Sequence, residues 1–89
     1  MRGRELLAWN VRKLRTAQGL SQERLAADAG VDRAYLGGIE RQLENPSIDS
    51  LDKIASALQV ELVELLAVPG DGDAPPKPLS PGRRSAGGN

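Results

Sequence analysis

The chemically capable side chains of this sequence are nearly all charged: twelve Lys and Arg stand against twelve Asp and Glu, with neither cysteine nor histidine. That inventory lacks the thiolates and imidazoles on which disulfide staples, most transition-metal sites and most nucleophile–base pairs are built. The acids fall on helix starts and polar faces instead of converging, so an enzyme is the weakest reading. What remains is ionic and hydrogen-bonding recognition. Residues 1–41 hold eight bases, Arg2, Arg4, Arg12, Lys13, Arg15, Arg24, Arg33 and Arg41, against five acids, a balance of +3. Residues 42–68 set Lys53 against Glu44, Asp49, Asp52, Glu61 and Glu64, a balance of −4. The net charge of zero therefore conceals a basic front and an acidic back, with a polyanion expected at the front. Chance asymmetry in a short chain is the competing explanation.

These charges need elements to position them, and the apolar periodicity is helical throughout. Leu7, Val11 and Leu14 recur at i, i+4 and i+7, predicting a helix over about residues 5 to 18, ended by Gly19. Ser21 caps a short second helix carrying Leu25, Ala26 and Ala29, which Gly30 stops in the left-handed conformation. Asp32 is expected to cap a third helix in the same way, with Leu36 and Ile39 on its buried side. Residues 41–47, containing Asn45-Pro46, form a loop. Ser47 caps a fourth helix with Ile48, Leu51, Ile54, Ala55 and Leu58 facing inward, and Asp49 and Asp52 suit the positive end of its dipole. A last short segment over 61–67 places Leu62, Leu65 and Leu66 on one side and leaves Val63 and Val68 for another surface.

The expected fold class is all-α, a compact five-helix bundle over residues 1–68. From Pro69 the composition turns to Gly, Pro, Ser and Asp, with Leu79 the lone large apolar residue, so 69–89 is expected to be a disordered tail. No apolar run is long enough for a membrane span, and no basic start is followed by an export-type segment, so a cytoplasmic location without membrane partners is expected.

Residues 22–41 meet the steric requirements of a helix-turn-helix: two short helices, a tight turn at Gly30, a small Ala26 at the crossing, and Leu25, Ala29, Val31, Leu36 and Ile39 to join them to the core. The blocks Leu20-Ser21-Gln22-Glu23-Arg24-Leu25-Ala26, Ala29-Gly30-Val31, Ile39-Glu40-Arg41 and Asn45-Pro46-Ser47 resemble the phage-repressor and Cro type of helix-turn-helix, also called the xenobiotic-response-element family. The resemblance spans about residues 6 to 66 and implies a lambda-repressor-like five-helix domain that binds double-stranded DNA without a cofactor.

Carried over residue by residue, the resemblance implies that Gln22 bonds a phosphate and braces the third helix, that Arg33 meets a guanine edge, and that Ala34 touches a thymine methyl; the competing readings are a solvated helix-start glutamine and an arginine that meets phosphate or solvent alone. Tyr35 either bonds a phosphate through its hydroxyl or packs against helix two. Arg12, Lys13 and Arg41 are further phosphate candidates, or solvated surface bases. Arg15 and Glu40 occupy positions that form a structural ion pair in the family. Trp9 and Asn10 lie near the front edge of helix one, where Trp9 serves packing or recognition.

Three departures bear on recognition. Gly37 and Gly38 stand inside the reading helix, at DNA-facing positions where polar side chains are common, at a cost of about 1 kcal/mol each relative to alanine. Either the backbone there approaches DNA or a neighbouring element, or base readout is absent. Gln42 replaces a helix-ending glycine, and Leu43-Glu44 replaces a polar or basic pair. Weak monomer binding then favours a homodimer on a palindromic operator, with Leu62, Val63, Leu66 and Val68 as interface candidates unless all four merely close the core. The expected function is a transcriptional regulator, repressor or autoregulator. The alternative is an antitoxin or interaction module whose tail binds a partner protein. Within the tail, Lys77, Arg83 and Arg84 are read as reaching phosphates, unless the segment folds on a protein partner or stays an inert solvated tail.

Overall fold

In a computed structural model that describes residues 2–70, α1 (Gly3–Ala17) begins two residues earlier than the apolar stripe suggests. The Glu5 carboxylate accepts the Arg2 backbone N–H at 3.0 Å and so supports the first turn. Gly19, at φ +69°, turns the chain out of this helix. α2 (Gln22–Ala29) starts where the Ser21 hydroxyl accepts the Arg24 N–H at 3.0 Å, and it ends at Gly30, φ +73°. That left-handed residue makes the turn into α3 (Arg33–Glu40) sharp enough for the two helices to pack on each other. α4 (Ile48–Leu58) is capped by Ser47, whose hydroxyl accepts the Ser50 N–H at 3.1 Å.

α1 packs on α3, and α2 lies against both α3 and α4. Leu7, Val11, Leu25, Leu36, Ile39, Leu51, Ile54 and Leu58 make the shared core. Asp32 departs from expectation: its carboxylate makes no bond to the first-turn amides, and α3 begins at an exposed end that solvent can satisfy. Ile48 departs too, being 59% exposed. Side chains on a helix tilt toward its N-terminus, so the first residue of α4 leans off the end, past the core.

The expected fifth helix is a single 3-10 turn, Leu62–Leu65, so the described residues hold four α-helices. Continuing as an α-helix, Leu65 O would take the N–H of residue 69, which is a proline and has none. Asn10 supplies the missing donor: its amide donates to Leu65 O at 3.1 Å and to Ala67 O at 2.9 Å. Three residues per turn also eclipse Leu62 and Leu65 and rotate Leu66 away. Leu65 is accordingly fully buried and Leu62 half-buried on the core, whereas Leu66 turns outward, against the expectation that it shares their side.

Asn10 is thus a buried latch and not a residue of the front edge. Trp9 is half-buried with its indole N–H enclosed and unpartnered among the described residues, which fits packing over recognition. At the far end of α1, the Gln18 amide donates to Leu58 O at 2.8 Å, tying the ends of α1 and α4 together. No described helix is long and apolar enough to cross a membrane. The expectation of a disordered tail falls, from residue 71 on, outside the described residues.

Candidate nucleic-acid interface

The orientation of α3 is set from beneath by one carboxylate. Glu40, whose side chain is 3% exposed, receives Arg15 in a two-pronged pair, Nε to Oε2 at 2.7 Å and Nη2 to Oε1 at 3.0 Å. The third prong of Arg15, Nη1, donates to Leu20 O at 2.8 Å, so one planar fork spans the end of α3 and the entry to α2. Gln22 Nε2 donates to Glu40 Oε1 at 3.0 Å, and Arg12 Nε stands 3.9 Å from the same oxygen. A single buried charge therefore joins α1, α2 and α3, and a burial of this kind is tolerable only because its lone pairs are occupied.

Above this buttress lies the outward face of α3. Leu36, Ile39 and Glu40 point inward, and the helical period places Ala34 and Arg41 on the opposite side, while Arg33 is exposed at the flank as the first residue of the helix. Tyr35 is half-buried against the core at the flank, so its ring packs while its position stays near the surface. Arg12 is half-buried and Lys13 exposed on α1. Gln22, half-buried, spends one donor on Glu40 and thereby braces the end of α3 from α2.

The two glycines prove to be covered by side chains from elsewhere. A Cβ on Gly37 would lie 3.3 Å from Arg41 Nη1 and 3.6 Å from Gln22 Oε1. A Cβ on Gly38 would lie 2.7 Å from Glu44 Cγ and 2.8 Å from its Oε2. Both glycines are buried in consequence, and the groups available to a ligand at these positions are the Arg41 guanidinium and the Glu44 carboxylate. The missing side chains are legible in the sequence; the groups that replace them are not. For Asn10 a signal existed, since an asparagine stands on the stripe of Leu7, Val11 and Leu14.

Residues 11–65 match the helix-turn-helix family model. The chain belongs to the helix-turn-helix family of transcriptional regulators. A hypothetical transcription factor of Neisseria meningitidis serogroup B is 41% identical over 66 residues, covering 74% of this chain, and the chain spans 62% of that protein's length. The crystal structure of a Neisseria hypothetical transcription factor superposes with a TM-score of 0.75 at 40% identity, over 76% of this chain and 78% of that one. The restriction-modification controller protein C.AhdI of Aeromonas hydrophila superposes at 0.68 with 47% identity, over 70% of this chain and 94% of its own. The biofilm master regulator SinR, crystallised in complex with DNA, superposes at 0.66 with 39% identity, over 68% and 98% of the two chains. In this helix-turn-helix chain the motif is α2, the Gly30 turn and α3, and the Glu40 network is its support.

Proposed function

We propose that this helix-turn-helix chain is a sequence-specific DNA-binding regulator, a repressor or autoregulator, that reads a short palindromic operator as a homodimer without a cofactor. The observation that carries the reading is the exposure of Arg33, Ala34 and Arg41 on α3, a helix anchored from beneath by the buried Glu40 network. A helix of eight residues held that way fits the major groove with its first residues at the base edges. Arg33 meets guanine O6 and N7, Ala34 a thymine methyl, and Gln22, Tyr35, Lys13, Arg12 and Arg41 serve phosphates. Gly37 and Gly38 contribute by letting Arg41, Gln22 and Glu44 lie close to the helix. SinR in its DNA complex supports the ligand class.

Dimerisation is read from one apolar patch at the end of the domain. Val63 and Val68 are 70% and 76% exposed, and Leu66 stands partly exposed between them in sequence. Leu62, half-buried on the core, belongs to the support of this patch more than to its contact face. Burying the patch against a second copy puts two reading helices on one side of a duplex, about 34 Å apart. Selection from a pool of random duplexes, with sedimentation of the free and DNA-bound protein, tests the proposal. The expected result is an inverted repeat bound by two chains. No enrichment over random DNA, with Arg33→Ala changing nothing, refutes it.

A further inference from the structure

Resting on the reading of α3 as the DNA-facing helix, we infer that Glu44 is a specificity-determining residue that selects cytosine in each half-site. Residues four apart on a helix share a row, so position 38 continues the outward row of Ala34. Gly38 has no side chain to put there, and the space is filled by Glu44, with Cγ and Oε2 2.7 and 2.8 Å from where a Cβ would stand. The reading face therefore carries a carboxylate borrowed from the following loop.

Three constraints hold it there. Gln42 takes φ +64°, bending the chain back toward the helix it has just left. Leu43 N–H then donates to Gly38 O at 2.8 Å, clasping the loop to the last turn of α3. Arg4 Nε, from α1, donates to the Glu44 carbonyl at 3.0 Å. The Glu44 carboxylate itself makes no hydrogen bond or ion pair among the described residues, so its acceptor sites are open.

An open carboxylate on that face discriminates strongly. It repels phosphate and offers acceptors alone. In the major groove guanine presents two acceptors and thymine an acceptor with a methyl, whereas adenine sets its amine beside the N7 acceptor. Cytosine presents its N4 amine with no acceptor of its own beside it, and is the edge a carboxylate suits. Arg33 and Glu44 thus form a complementary pair of readers, a donor fork for guanine at one end of α3 and an acceptor for cytosine at the other.

The test is selection from random duplexes by the full chain in three forms: wild type, Glu44→Gln and Gly38→Ala. Wild type is expected to enrich cytosine at one position per half-site in addition to the position read by Arg33. Glu44→Gln is expected to lower that preference by about tenfold and to admit adenine, with which an amide pairs. Gly38→Ala keeps the charge but sets a methyl where the carboxylate rests, and is expected to lose the same preference and leave the Arg33 position intact. Thermal melting confirms that both variants fold. Unchanged base frequencies in both variants overturn the proposal, as does Glu44→Gln strengthening binding to all sequences alike. A wild type that selects no sequence at all refutes the DNA-reading function itself, a different failure from selection without a cytosine position.

Discussion

Replacing Arg15 with methionine keeps most of the side-chain length and removes the charge, leaving Glu40 without its two-pronged partner in a site where its side chain is 3% exposed. The native pair loses two charge-assisted bonds, 2.7 and 3.0 Å long, and Leu20 O loses its 2.8 Å donor. Stranding one member of a buried pair costs about 3–5 kcal/mol. The lower end applies, because Arg15 is itself 11% exposed and Arg12, 37% exposed and 3.9 Å away, is able to move closer. An expected loss of about 3 kcal/mol compares with a total stability of roughly 3–10 kcal/mol for a domain of this size. The midpoint of thermal unfolding falls by about 12–24 °C on the same scale.

Urea unfolding followed by helical circular dichroism at 25 °C measures the effect. The double variant Arg15→Met/Glu40→Leu, which leaves no stranded charge, is expected to be more stable than Arg15→Met alone. The reasoning fails if Arg15→Met costs less than about 1 kcal/mol, or if removing both partners is worse than removing Arg15.

Other substitutions probe separate features. Asn10→Ala deprives Leu65 O and Ala67 O of their donor and is expected to cost about 2 kcal/mol, with faster amide exchange localised to 62–68; uniform exchange throughout would count against the latch. Gln59 ends α4 at φ +61°, where glycine suffers no Cβ penalty, so Gln59→Gly is expected to raise stability by about 0.5–1 kcal/mol in the same urea assay despite glycine's greater unfolded-state freedom. Arg33→Ala, fully on the surface, is expected to weaken operator binding by about 1–3 kcal/mol while melting as wild type does, and an equal loss on random DNA would show a phosphate contact instead. Val63→Asp is expected to shift sedimentation from dimer to monomer without unfolding the chain; an unchanged dimer would place the interface elsewhere.

Much of the helical framework was legible from local rules. Ser21 and Ser47 cap, Gly19 and Gly30 turn the chain, and the apolar spacing marks the inner faces, because each of these depends on a few neighbouring residues. The helix-turn-helix was legible for the same reason: its turn and its two short helices lie within one contiguous stretch.

What escaped those rules depends on how side chains pack, whether their residues are distant or close in the chain. The last segment carries helical spacing, yet it forms a 3-10 turn whose closing carbonyl is held by Asn10, 55 residues before Leu65. The glycines of α3 read as gaps in the sequence. Only packing shows that Arg41, Gln22 and Glu44 occupy them, because a side chain fills whatever volume the fold leaves beside it, irrespective of the position to which it is attached. Sequence alone determined which helix faces outward; tertiary structure decided which charges that face presents.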